Sequence, residues 1–122
     1  MSGFSLPDDV VEAARKWKEK GDSLPYELYK ALLLNYGRRG EKAFFYLKER
    51  RVKKYRDFFV VVGTYEYVVE GNFCTCMDFQ FNLKAKKPCA HIIAVKLARI
   101  MKLYDSYDTY YADFLSMNLN TD

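Results

Sequence analysis

The sequence predicts an α+β fold with helices at both ends and an antiparallel meander between them. Apolar residues recur at helical spacing in the first part of the chain and again after residue 90. Residues 52–77 between these regions are rich in β-branched and aromatic side chains and contain glycine at turn positions. Separate helical and strand regions are typical of α+β proteins.

Three N-terminal helices are predicted over about 7–19, 25–36 and 41–50. The segments SLPDDV and SLPYEL each place Ser and Pro just ahead of carboxylates, which is the capping chemistry of a helix start. Gly21 and Gly37 follow the first two helices and are expected to end them.

A three-stranded meander is predicted next. The segment VKKYRDFFVVVG is expected to form one strand, with a two-residue turn at 63–64 leading into YEYVVE. A second turn at 71–72 leads to FCTCM, a short third strand. The segment HIIAVKLARIMKLY then resumes helical spacing, and DSYDTYYADFLSM predicts a last short helix.

These elements divide one compact domain into three parts. Residues 1–52 form an N-terminal helical region, residues 53–104 a strand, loop and helix unit, and residues 105–122 an aromatic and acidic helical tail. No apolar run is long enough to cross a bilayer, and the N-terminus lacks the basic start and apolar block of a signal peptide. We expect a location in the cytoplasm or nucleoid, or in the nucleus of a eukaryote, without secretion or membrane association.

All the cysteines and the one histidine lie within residues 74–91. Cys74 and Cys76 are separated by one residue, so on a strand both thiols point to the same face. Cys89 and His91 repeat this spacing after Pro88, just before a helix. Three thiolates and one imidazole are a closed tetrahedral ligand set for one structural Zn²⁺, with no position left for a catalytic water.

Other interpretations of this cluster remain open from the residues alone. Isolated cysteines are often small buried apolar groups, and a Cys₃His set also occurs in iron–sulfur proteins. A Cys–His nucleophile pair lacks an evident orienting group. The odd cysteine count argues against a disulfide framework. We therefore expect a metal-binding protein that is not an enzyme and has no small-molecule substrate.

The spacing Cys-x-Cys, loop, Cys-x-His and apolar helix resembles the SWIM zinc finger. The segments YEYVVEGNFCTCMDF and KPCAHIIAV resemble the start and end of that module, so the resemblance covers about residues 55–103. It implies a ββα unit in which one structural zinc is held by Cys74, Cys76, Cys89 and His91.

Small SWIM proteins resemble the SWIM subunit of Shu-type recombination mediators. That resemblance implies an adaptor that partners a RecA-family recombinase paralogue and binds single-stranded DNA in homologous recombination or repair. The alternative is a stand-alone DNA- or RNA-binding regulator of mobile-element or viral origin. The chain has no Gly-rich phosphate loop, so an adaptor would depend on the ATPase of its partner.

The charge distribution suggests where nucleic acid would bind. Residues 38–56 carry nine Lys or Arg against two Glu, whereas residues 103–122 carry four Asp and no base. Clustered basic residues suit phosphate contacts, and nearby Tyr55, Phe79 and Phe81 suit stacking on nucleobases. Alternatively, the basic residues are a solvated surface and the aromatic residues belong to the core. The candidate nucleic-acid residues are Lys48, Arg50, Arg51, Lys53, Lys54, Arg56, Lys84, Lys86 and Lys87.

The tail carries aromatic residues at three- and four-residue spacing. Tyr104, Tyr107, Tyr111 and Phe114 would form one stripe on a helix, flanked by aspartates. Exposed tyrosines often anchor protein interfaces, so these residues are candidates for partner binding. The alternative is that the stripe packs back on the domain.

Overall fold

The computed structural model describes residues 4–17 and 23–113, and within these residues it has four α-helices and five strands. The helices are α1 (Asp8–Trp17), α2 (Tyr26–Tyr36), α3 (Arg38–Lys48) and α4 (Ala90–Met101). The strands are β1 (Val52–Lys54), β2 (Phe59–Val62), β3 (Glu66–Glu70), β4 (Phe73–Cys74) and β5 (Asp105–Ser106). A π-helical turn covers Asp78–Asn82. The predicted α+β class is confirmed.

The N-terminal helices follow the predicted pattern, with α3 beginning earlier than expected. Gly37 has a φ of +61° and donates its N–H to the Leu33 carbonyl at 2.8 Å, which ends α2 and lets α3 start immediately. Gly40 brings the two helices into close contact, because a Cβ at this position would lie 2.1 Å from the Leu32 carbonyl oxygen. Helices α2 and α3 therefore pack as one tight pair.

The sheet has five strands in the order β4-β3-β2-β1-β5, rather than the predicted three. The predicted first strand is in fact β1 and β2, paired antiparallel with Lys54 opposite Phe59. The chain reverses between them because the Tyr55 N–H donates to the Phe58 carbonyl at 2.8 Å and the Asp57 carboxylate accepts the Phe58 N–H at 3.1 Å. The composition predicted extended residues but not this turn.

The two predicted hairpin turns have different outcomes. The turn at Gly71 is confirmed, since Glu70 pairs with Phe73 and Gly71 has a φ of +60°. The turn at 63–64 was predicted one residue too short, because Val62 pairs with Glu66 across a loop over 63–65. The third strand is also shorter than FCTCM, and Cys76 lies in the bend after β4.

Helix α4 lies at the centre of the core. Nine of its twelve residues are buried, which is typical of a helix covered on all sides. It contacts the sheet as well as α1 and α3, so the core joins the N-terminal helices to the strands. None of the helices in the described parts of the chain is long and apolar enough to cross a membrane.

The predicted helical tail is wrong for residues 105–110. Helix α4 ends at Met101, where Lys102 adopts a left-handed conformation with a φ of +56°. Strand β5 then pairs parallel to β1, with Lys53 opposite Asp105. Backbone pairing with β1 therefore replaces the local hydrogen bonds of a helix.

Candidate metal centre

The four predicted ligands meet at one buried point. Cys74 ends strand β4 opposite Val69, and Cys76 starts the turn into the π-helix. Cys89 is the extended residue that precedes α4, and His91 lies in the first turn of that helix. Side-chain burial is nearly complete, with relative exposures of 0% for Cys74, 3% for Cys76, 1% for Cys89 and 7% for His91.

The geometry of the cluster fits a tetrahedral ion. The ligand atoms all lie within 4.8 Å of one another. His91 Nδ1 lies 3.6 Å from Cys74 Sγ and 3.8 Å from Cys89 Sγ. Tetrahedral zinc with ordinary Zn–S and Zn–N bonds separates sulfur and nitrogen ligands by roughly 3.6 Å. The four residues therefore fit one structural Zn²⁺, with Nδ1 as the histidine donor.

The sulfur atoms cannot all be thiolates without a cation. Hydrogen bonds from the Cys74 and Cys89 thiols hold the pKa of Cys76 well below its usual range. Hydrogen bonds with Cys76 and Cys89, together with burial, raise the pKa of Cys74. The Phe79 N–H also donates to Cys76 Sγ at 3.3 Å. A bound cation replaces the shared protons, and such a site is expected to release protons when it binds metal.

Two tyrosines that the sequence analysis missed as site residues enclose His91. The Tyr67 ring stacks on the imidazole at a centroid distance of 4.3 Å, and the Tyr46 ring is tilted against it at a centroid distance of 5.2 Å. Tyr46 Oη is 3.3 Å from His91 Nε2. Burial raises the pKa of Tyr46, so its hydroxyl stays protonated at neutral pH. The sequence predicted the strand YEYVVE that contains Tyr67, but no sequence signal indicated Tyr46.

Comparisons with known proteins agree with this geometry. The family model of the SWIM zinc finger matches residues 58–100, which include all four ligands. The chain contains a SWIM zinc finger. It is also 62% identical over 109 residues to an uncharacterized protein of Archaeoglobus fulgidus. That alignment covers 89% of this chain and 91% of the relative, so the two proteins belong to one family. No solved structure matches the chain.

The SWIM finger has four protein ligands, which determines what its metal can do. A closed Cys₃His set leaves no position for a water or a substrate, so the metal serves to hold the fold. The ion would connect β4 and the turn after it to the start of α4. Because α4 is the central helix of the core, the ion would link one edge of the sheet to that core.

The first group of candidate nucleic-acid residues lies at the end of α3, on β1 and in the turn after β1. We call this group the basic segment; it contains Lys48, Arg50, Arg51, Lys53, Lys54 and Arg56. Lys53 pairs with Asp105 at 2.6 Å, and Arg56 pairs with Asp108 at 2.6 Å. Arg51 pairs with Glu49 at 3.1 Å. Acidic groups, two of them from the tail, thus neutralise half of this segment.

The second group lies in the loop between the π-helix and α4. We call it, together with Phe81 of the π-helical turn, the zinc-loop surface; the surface contains Phe81, Lys84, Lys86 and Lys87, all exposed. Lys84 and Ala85 both have left-handed φ angles, and the Ala85 N–H donates to the Phe79 carbonyl at 2.9 Å. The loop therefore folds back on the π-helix. Its three lysines make no ion pair with any residue that the structure describes.

Two of the three aromatic residues expected to stack on bases have other contacts. Phe79 is only 2% exposed and belongs to the core. Tyr55 stacks on Tyr107 at 5.2 Å and packs edge-on against Tyr111 at 5.1 Å. Phe81 is 64% exposed and is the one of the three that a base can reach.

The candidate partner residues do not form a single exposed stripe. Tyr111 is buried at 4% exposure, with its hydroxyl donating to Glu66 at 2.7 Å, so its assignment to a partner surface is wrong in this conformation. Tyr104 is half-buried and packs edge-on against Phe59. Tyr107 remains exposed. Phe114 lies outside the described residues. The tail is held by the Asp57 carboxylate, which accepts the Tyr111 N–H at 2.7 Å.

Proposed function

We propose that this protein is a zinc-dependent adaptor that binds single-stranded nucleic acid, with DNA as the first candidate, and a protein partner. The observation that carries the proposal is the zinc-loop surface. Its three lysines are exposed without ion pairs to described residues, and they follow an exposed phenylalanine of the π-helical turn. Lysine charges attract the phosphates of any nucleic acid, and an exposed aromatic ring provides a stacking platform for an unpaired base.

The chemistry of this surface favours a single strand over a duplex. The side chains of Phe73 and Met77, beside Cys74 and Cys76, are also exposed. Apolar side chains next to lysines suit bases that are free to leave the stack. The surface offers no helix of more than five residues that could enter a major groove, since the exposed element is the π-helical turn. These features support single-strand binding through backbone charge and stacking, without sequence readout.

Charge reversal of the zinc-loop surface tests the nucleic-acid part of the proposal. We expect the variant Lys84→Glu, Lys86→Glu, Lys87→Glu to lose at least tenfold in affinity for a fluorescent oligothymidine. The slope of log affinity against log salt should fall in magnitude by about 2, since single strands lose about 0.7 per phosphate contact. The matched control reverses the exposed Lys16, Lys30 and Lys102 and has the same net charge. Equal binding by both variants would remove the zinc-loop surface from the proposal.

The protein partner that we propose is a RecA-family recombinase paralogue. This proposal rests on the resemblance of the chain to the SWIM subunit of Shu-type mediators, and on the absence of a Gly-rich phosphate loop in the sequence. It places the protein in homologous recombination or repair. The helical region supports a protein contact, since Tyr26 is 69% and Leu34 is 83% exposed along a groove between α1 and α2.

Affinity capture from the native cell tests the partner. We expect mass spectrometry to identify an ATPase of the RecA family with the natural chain, and expect Leu34→Glu to reduce its recovery severalfold. Tyr65→Glu, which changes an equally exposed residue in the loop between β2 and β3, is the control. Recovery of nucleic acid without such an ATPase would favour the stand-alone regulator instead.

A further inference from the structure

Helix α3 contacts both halves of the metal centre from outside the finger. In its first turn, Arg39 makes two hydrogen bonds to Asp78, from Nε at 2.8 Å and from Nη2 at 2.9 Å. Asp78 begins the π-helical turn two residues after the ligand Cys76. In the last turn of α3, Tyr46 Oη lies 3.3 Å from Nε2 of the ligand His91.

The spacing of these two contacts follows from helix geometry. Arg39 and Tyr46 are seven residues apart, so they lie on the same side of α3 about two turns, or roughly 10 Å, from each other. One contact supports the turn that carries the Cys76 side of the ligand set, and the other supports the histidine side. Helix α3 therefore supports both sides of the metal centre through residues that do not bind the metal themselves.

The contact with Tyr46 acts on the donor atom of His91. The Nδ1 atom faces the sulfurs of Cys74 and Cys89, so it must be free of its proton to bind the metal. The proton then resides on Nε2, and this N–H donates to the Tyr46 hydroxyl oxygen. The Tyr67 ring also stacks on this imidazole, at a centroid distance of 4.3 Å. Tyr46 thus favours one tautomer and one orientation of the imidazole.

We propose that Tyr46 is a positioning residue for the zinc ligand His91, and that α3 couples metal binding to the packing of the N-terminal helices. The coupling continues into α2, because Gly40 of α3 contacts the Leu32 backbone without room for a side chain. Loss of the metal should therefore loosen α3 and α2 as well as the finger.

The substitution Tyr46→Phe tests the positioning role, because it keeps the ring and removes the hydroxyl. We expect the apparent zinc affinity, measured by competition with a chromogenic chelator, to fall by about tenfold or more. Losses of this size are typical when a residue that hydrogen-bonds to a metal ligand is removed. The cobalt-substituted variant should show a shifted visible spectrum, since the imidazole is no longer held in one orientation. Tyr67→Phe is the matched control, because its ring stacks on the same histidine and its hydroxyl has no hydrogen bond to a described residue.

The outcomes separate positioning from general packing. Zinc affinity and cobalt spectra that are the same for both variants would overturn the role of Tyr46. Amide hydrogen exchange of the natural chain with and without zinc tests the coupling independently of any substitution. Metal removal should increase exchange in α2 and α3, and unchanged protection there would overturn the coupling.

Discussion

The basic segment and the zinc-loop surface differ in what surrounds their charges. The basic segment has the higher charge density in the sequence, but Lys53 and Arg56 pair with aspartates of the tail. The zinc-loop surface has fewer bases, and its lysines face solvent without an ion pair to a described residue. The positive charge that can bind a phosphate therefore depends on the ion pairs of the folded chain rather than on the number of basic residues in the sequence.

The difference also concerns rigidity. The middle of the basic segment lies on β1, between β2 and β5, and Lys53 forms its ion pair with Asp105 across the β1–β5 pair. The zinc-loop surface is held at its two ends by metal ligands, because Cys76 precedes it and Cys89 follows it. Binding through the loop should consequently depend on the metal, whereas the ion pairs of the strand should not depend on it directly.

Removal of one zinc ligand should have the largest effect. We expect Cys89→Ser to lose stoichiometric zinc and most of the domain's stability, which is about 5–15 kcal/mol for a typical domain, because zinc binding and folding are coupled. Metal content by mass spectrometry and thermal unfolding measure this effect. Ala90→Ser, a buried neighbour that keeps the donor set, should retain the metal. A zinc-free Cys89→Ser chain with natural stability would contradict the structural role of the ion.

Neutralising the tail should have an intermediate effect. We expect Asp105→Asn with Asp108→Asn to raise nucleic-acid affinity about two- to tenfold at low salt, since the change frees Lys53 and Arg56 for phosphates. The effect should shrink at high salt because both pairs are at the surface.

A control separates this effect from net charge alone. Asp8→Asn with Asp113→Asn removes the same charge at two exposed positions, neither of which makes an ion pair with a described residue. Fluorescence anisotropy on one oligonucleotide compares the two variants. Identical gains would indicate that net charge, rather than release of the basic segment, controls binding.

Removal of one tail hydroxyl should have the smallest effect. We expect Tyr111→Phe to reduce the free energy of unfolding by about 1 kcal/mol, measured by urea denaturation, because its hydrogen bond to Glu66 is lost. Tyr107→Phe, whose hydroxyl has no hydrogen bond to a described residue, should change stability by less than about 0.5 kcal/mol. Equal effects would show that the Glu66 bond does not hold the tail.

The same hydroxyl predicts a dependence on alkaline pH. Burial and the hydrogen bond to Glu66 raise the pKa of Tyr111. Because the pKa of Tyr111 is higher in the folded chain than in the unfolded chain, its protonated hydroxyl stabilises the fold fully below the unfolded pKa of about 10. This stabilisation is lost as the pH rises through the folded pKa. Tyr111→Phe should remove this alkaline loss of stability.

The ligand set and the main helices could be predicted because their signals are local. A single residue separates Cys74 from Cys76, and likewise Cys89 from His91, which limits how far the members of each pair can lie from one another. The turn at Gly71 was predictable for a similar reason, since its left-handed φ favours glycine. By contrast, the predicted first strand is divided into β1 and β2 by a turn that hydrogen bonds of Asp57 stabilise. Two of these hydrogen bonds reach residues of the tail.

The tail shows why the rest could not be predicted. Its aromatic spacing is compatible with a helix, but the parallel pairing of residues 105–106 with β1 outweighs that local preference there. The contact between Tyr46 and His91 joins residues that are 45 positions apart, and neither residue type indicates the other. Contacts of this kind have no local signature.

The sequence by itself determined that one metal would be bound by four named residues, because ligand chemistry and short spacing are properties of neighbouring side chains. The tertiary structure decided which basic residues remain free to bind a phosphate and which tyrosine orients the histidine. Ion pairs and hydrogen bonds act over a few ångströms in space, and only the folded chain brings such distant residues within that distance.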